Sequence, residues 1–200
     1  VRECCKWDYE LRFPEQVPEL LDRAHGIANS SAKGPVYLSL PREVLCETCP
    51  SEGLDAPASM RPARSGVRRE DLAALVDVLA TARNPVIFAQ RGAGSAAGFT
   101  ALSRLAEEWA IPVCPYWATA LPVPSDHPMN VGLNPMPWLA EADVVLVLDS
   151  LAPWEPQSHN PAPGAMVVQM GPDPLFSRFP VRNFRADLAI ACAVDDGLVE

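Results

Sequence analysis

Gln90-Arg91-Gly92-Ala93-Gly94-Ser95 joins an apolar run, Pro85 to Ala89, to a helical pattern that includes Phe99 and Leu102. Glycines at such a strand-to-helix turn let backbone N–H groups approach a phosphate at the helix N-terminus, where the dipole favours negative charge. The match to a dinucleotide fingerprint is partial, because Gly98 lies four residues after Gly94 and not three. A tight turn that needs glycine for its backbone angles accounts for the same residues without a ligand. Asp149 ends the third apolar strand of this region and Asp173 follows the fourth. An acid there bonds a ribose hydroxyl in dinucleotide folds, and elsewhere forms turns or caps helices. Thr119 follows the second strand on the same edge. Gly92, Gly94, Ser95, Thr119, Asp149 and Asp173 form the candidate cofactor-binding set.

No catalytic or metal-ligating set emerges. His25 lies on a helix beside Arg23, and His127 and His159 lie in turn-like, proline-flanked segments. The chain has no G-x-S-x-G elbow, phosphate-binding P-loop or H-E-x-x-H. Cys46-Glu-Thr-Cys49 has no second pair or histidine at zinc spacing, so Cys4, Cys5, Cys46, Cys49, Cys114 and Cys192 read as reduced thiols. Cys114 and Cys192 sit in apolar runs and read as core. Trp109, Trp117, Trp138 and Trp154 read as core or interface aromatics. The 200 residues carry a net charge of −9, with 14 Arg and 2 Lys scattered without a basic stripe, which argues against nucleic acid. No apolar run approaches a membrane span, and Val1-Arg2-Glu3-Cys4-Cys5 is no signal peptide. A start without Met reads as a piece cut from a longer protein.

The elements that position these residues fall into two regions. Val17, Leu20, Leu21, Ala24, Ile27 and Ala28 repeat at helical spacing behind Pro14, and Val36 to Leu40 reads as a strand ended by Pro41. One helix and one strand cannot bury their faces alone, so 1–45 reads as the remnant of a larger domain. Residues 46–66 lack periodicity and read as a linker. From Val67, helical patterns (Leu72 to Leu79, Phe99 to Trp109, Trp138 to Ala142) alternate with strands. The strands are Pro85 to Ala89, Ile111 to Cys114, Asp143 to Leu148, Ala165 to Met170 and Leu188 to Ala193. Near-continuous apolar strands between helices predict an α/β domain over 67–195, a doubly wound parallel sheet covered on both faces. Residues 196–200 read as the start of another linker.

Taken in order, Lys6-Trp7, Arg23-Ala24 and Gly34 through Glu43 resemble the end of the pyrimidine-binding domain of thiamine-diphosphate enzymes. Gly92-Ala93-Gly94, Leu105-Ala106-Glu107 through Val113, His127-Pro128 with Gly132, Ala142 through Leu148, and Asp173-Pro174 resemble their Rossmann-like central domain. The acetolactate-synthase-like group is the one named by this series. The resemblance implies a parent transferase or lyase that makes or breaks carbon–carbon bonds of 2-oxo acids, using thiamine diphosphate and Mg2+. It also implies a cytoplasmic homo-oligomer with active sites between subunits. The activating glutamate would precede Val1, and no Gly-Asp-Gly metal motif occurs here. The expectation is therefore a central region that is inactive alone and partnered by the remaining domains of its enzyme.

In some relatives the central domain holds FAD or ADP. Asp149-Ser150-Leu151-Ala152-Pro153-Trp154 and Gln169-Met170-Gly171-Pro172-Asp173 depart from the flavin-binding pattern of acetolactate synthases, so a colourless protein is expected. Two other readings are an independent NAD-type dinucleotide-binding module and a ligand-free structural domain. The remnant at 1–45 argues against the first, and the second is compatible with a place inside a working enzyme.

Overall fold

In a computed structural model, residues 2–49 and 60–200 are described. They divide into two compact units, 1–64 and 65–200. The part of the expected linker at 50–59 lies outside the described residues.

The first unit contains β1 (Trp7–Glu10), α1 (Val17–Asn29), β2 (Val36–Ser39) and the single turn α2 (Arg42–Leu45). β1 and β2 run parallel, with Trp7 opposite Val36 and Glu10 opposite Ser39. The sequence pattern identifies α1 and β2 but not β1. Trp-Asp-Tyr-Glu alternates aromatic and acidic residues, a period of two that is short and carries no aliphatic run. Pro14 belongs to a separate 3-10 turn, Pro14–Gln16, and Pro18 occupies the first turn of α1. Leu20 and Ala24 bury the inner face of that helix. Residues 60–63 are tied to the unit: the Met60 N–H donates to Asp22 at 2.8 Å and the Ala63 N–H to Ser30 Oγ at 2.9 Å.

The second unit opens with α3 (Arg69–Thr81), followed by β3 (Pro85–Ala89), α4 (Ala96–Glu108), β4 (Val113–Cys114) and the single turn α5 (Met136–Leu139). β5 (Val144–Leu148), β6 (Met166–Gly171), β7 (Leu188–Ala191) and α6 (Val194–Val199) complete it. The five strands are all parallel in the order β4-β3-β5-β6-β7. Alternate residues of β3, β4, β5 and β6 feed separate cores. Ile87, Leu146, Leu148, Val168 and Met170 pack with Leu75, Leu79, Leu102 and Ala106. Val86, Phe88, Val145, Val147 and Val167 pack with Leu139, Ala142 and Trp154. Both faces of the sheet are thus covered, which is why β5 is buried at every position. β4 is shorter than the apolar run predicts. Ile111 and Pro112 lie before it, although the Pro112 carbonyl still accepts from the Ile87 N–H at 2.9 Å. Cys114 and Cys192 are core, and Trp154 is 2 % exposed. Trp109, Trp117 and Trp138 are instead partly exposed.

Candidate functional site at the C-terminal edge of the sheet

Chain order reverses between β3 and β5, since the strand following β3 lies on its other side. Ligands of open parallel sheets bind at this crevice, beyond the carboxyl ends of the strands. The candidate residues all come from loops at that edge. They do not, however, form one open set.

On the glycine side, Gly92 and Gly94 adopt φ of +72° and +81°, the left-handed region that glycine supplies without steric cost. A Cβ on Gly94 would lie 3.1 Å from the Asp195 backbone N, and one on Gly98 would lie 2.8 Å from Asp195 Cβ. These glycines therefore make room for the first turn of α6. Ser95 is the N-cap of α4, its Oγ accepting from the Gly98 N–H at 3.2 Å. Thr119 donates its N–H to the Gln90 carbonyl at 2.7 Å and its hydroxyl to the same oxygen at 3.3 Å.

On the other side, Asp149 adopts φ +37° and accepts from Arg91 Nη1 at 3.2 Å, an ion pair across the point of reversal. Burial raises the Asp149 pKa above its ordinary value, against the lowering effect of Arg91 and with a further push from Asp173. Gly171 on β6 admits this arrangement, because a Cβ there would stand 3.3 Å from Asp149 Cα. Gln90 Oε1 accepts from the Leu151 N–H at 2.8 Å. Asp173 does not reach across the crevice. Its Oδ2 accepts from the Ser177 N–H at 2.8 Å and the Ser177 hydroxyl at 2.9 Å, closing a turn.

That turn delivers two residues that sequence reasoning did not select. Phe176, at φ +50° and 6 % exposed, lies 5.2 Å from the Arg91 guanidinium and 4.6 Å from that of Arg182. Arg182 donates to the carbonyls of Ser150 (2.7 Å) and Leu151 (3.0 Å) and to Gln169 Oε1 at 3.2 Å. Burial lowers its pKa, with Asp173 acting in the opposite direction. No periodicity or motif marks either residue.

Among the described residues no group of three or more His, Cys, Asp or Glu could hold a metal ion. All six cysteines are free, and burial pushes the Cys114 thiol up to about 12 and that of Cys192 to about 11. Burial thus disfavours the thiolate at these two positions. His127 is structural: Nδ1 accepts from the Met129 N–H at 3.1 Å, leaving Nε2 to donate to the Ser103 carbonyl at 3.1 Å. Among the described residues no helix is long and apolar enough to cross a membrane.

Residues 72–200 match the family described as thiamine pyrophosphate enzyme, central domain. The chain is 36 % identical over 140 residues to a "probable 2-ketoarginine decarboxylase" of Pseudomonas aeruginosa, a match covering 68 % of this chain and 24 % of that protein. It is 33 % identical over 157 residues to sulfoacetaldehyde acetyltransferase of Rhodobacter capsulatus, covering 74 % of this chain and 25 % of that one. Acetolactate synthase isozyme 1 large subunit of Escherichia coli matches at 29 % over 155 residues, with 72 % and 26 % covered. The chain thus spans about a quarter of the length of these relatives. A "putative thiamin diphosphate-dependent enzyme" from Mycobacterium smegmatis superposes with a TM-score of 0.76 at 24 % identity, over 98 % of this chain and 38 % of that one. Benzoylformate decarboxylase from Polynucleobacter necessarius gives 0.73 at 21 %, over 98 % and 37 %. Both share the fold.

Proposed function

Since this chain belongs to the thiamine pyrophosphate enzyme family, as its central domain, we propose that it is the central region of a larger carboligase or decarboxylase acting on a 2-oxo acid. The observation that carries this reading is the family match over 72–200, which falls on the five-stranded parallel unit. In the parent, thiamine diphosphate supplies the carbanion-stabilising chemistry. The residues here do not fit that cofactor's metal-diphosphate end: the sequence has no Gly-Asp-Gly, and no candidate metal cluster exists among the described residues. The reacting centre belongs to other domains, and the parent is a homo-oligomer that completes its active sites between subunits. This domain acts as a support, a reading favoured by the Arg91–Asp149 ion pair at the crevice.

The test is a comparison of the full gene product with the 200-residue chain, each supplied with thiamine diphosphate, Mg2+ and a panel of 2-oxo acids. The full protein is expected to release CO2 or form a new carbon–carbon bond. The shorter chain should be inactive and give no saturable cofactor heat in the micromolar range, a regime of about −8 kcal/mol. A one-to-one isotherm with the shorter chain overturns the proposal.

A further inference from the structure

Some thiamine-diphosphate enzymes carry FAD or ADP in the central-domain crevice, and the residues of this chain do not fit such a guest. A dinucleotide needs open space beside the strand ends, free backbone N–H groups near the glycine turn, and an unengaged acid for a ribose. Asp149 is engaged by Arg91, and the Leu151 N–H by Gln90. The carbonyls of Ser150 and Leu151 accept from Arg182. The Phe176 ring is buried there, its centroid 5.2 Å from the Arg91 guanidinium and 4.6 Å from that of Arg182. We infer that Phe176, held against Arg91 and Arg182, is the resident occupant of the crevice, an intramolecular plug that replaces a nucleotide and fastens the ends of β3, β5 and β6.

The geometry gives the plug a closed circuit. Arg91 follows β3, Asp149 to Leu151 follow β5, and Gln169 lies on β6 itself. Arg182 reaches both of the latter groups from the loop beyond Phe176. Asp173, by holding Ser177 at two points, shapes the turn that aims the ring inward. Phe179, three residues on and 50 % exposed, meets Phe176 edge-on at 6.3 Å and stays outside. A ring in reach of two guanidinium groups recovers the attraction between a cation and a π face while covering apolar surface. Planar aromatic guests of similar size should be accepted in its place once the ring is removed, as engineered apolar cavities accept benzene.

Thermal unfolding of the 200-residue chain and its Phe176→Ala variant tests this, with millimolar ADP, FAD, NAD or indole. The wild-type midpoint is expected to stay fixed with all four. The variant should melt several degrees lower and be raised toward wild type by indole alone. Saturable stabilisation of the wild type by ADP, FAD or NAD, with hydrogen-exchange protection at 90–92 and 149–151, overturns the plug. So does a folded Phe176→Ala variant that melts like wild type or ignores indole. Where Phe176→Ala gives no folded protein, Phe176→Leu decides: a lowered midpoint with nucleotide indifference supports the plug, and an unchanged midpoint refutes it.

Discussion

The two ends of β5 carry an aspartate each, and the two carboxylates are treated in opposite ways. Asp143, just before the strand, accepts from the backbone N–H groups of Arg83 at 2.7 Å and Asn84 at 2.9 Å. Burial alone would raise its pKa. The amides of Arg83, Asn84, Asp143 and Val144 outweigh that effect and hold it below the ordinary value. Asp149, just after the strand, meets one arginine in a largely buried setting, and burial wins, raising its pKa. Its backbone is left-handed, and the neighbouring Ser150 Oγ is buried without a partner among the described residues. The lower edge of the sheet is closed by matched donors and acceptors. The upper edge, beyond the carboxyl ends of the strands, is closed by a clasp of side chains that leaves some groups strained or unmatched. Tolerated strain of this kind collects at functional edges of a fold.

The largest effect that can break this contrast is expected at Arg182. Arg182→Ala strips donors from two part-buried carbonyls and from Gln169, and unfilled buried acceptors cost about 1–3 kcal/mol apiece. Allowing for water entering the gap, the loss should be about 2–3 kcal/mol, read as a lowered urea midpoint at constant slope. Arg182→Lys should recover less than half of it, since an ammonium cannot reproduce the planar fork. Equal stability of Arg182→Ala and wild type would mean that the upper edge needs no clasp.

Asp143→Ala probes the lower edge and should cost less, about 1–2 kcal/mol at neutral pH, because the freed amides lie near solvent. The sign with pH is fixed by the lowered pKa. A depressed folded-state value gives stability that is present above the ordinary carboxylate pKa and is lost as pH falls through the folded one. The gap between variant and wild type should therefore close in acid. A gap that persists at low pH would assign the effect to packing and not to the charged acceptor.

Much of the scaffold is legible in the sequence. Asp143 through Leu148 is apolar enough to be only a central parallel strand, and the alternation of strands with helices leaves few other topologies. The edge that holds the candidate site follows from that alone. The contents of the edge do not. Asp173 reads as a ligand-binding acid by position, yet Ser177, four residues later, turns it into a local cap. Gly92 and Gly94 read as phosphate-binding glycines, and what a Cβ on Gly94 would meet is Asp195, a contact about one hundred residues away in sequence. Phe176 and Arg182 come from a loop with no period, and a left-handed phenylalanine has no sequence signature. Asp143 likewise meets amides 59 and 60 residues distant. Local pattern sets which residues share an edge, and long-range packing decides which of them are already spent.

The smallest and most discriminating change is Asp149→Asn. Asparagine keeps the shape and tolerates a left-handed backbone, so the substitution alters charge and little else. Arg91 is about half exposed and can be rehydrated when its partner loses charge, so the ion pair itself is worth little. The carboxylate, in contrast, resists burial. A folded-state pKa raised above the unfolded value means that the folded state binds the proton more tightly, so wild-type stability is fullest below the ordinary carboxylate pKa and declines as pH rises through the folded value. Asp149→Asn removes that decline. The variant should equal or exceed wild type at neutral pH by less than about 1 kcal/mol, and the difference should shrink toward acid. This trend is opposite in sign to that of Asp143→Ala, for which wild type is the more stable partner at neutral pH. A loss of more than about 1 kcal/mol in Asp149→Asn that grows with pH would show the Arg91–Asp149 pair to be strongly stabilising, and the contrast between the two ends of β5 would vanish.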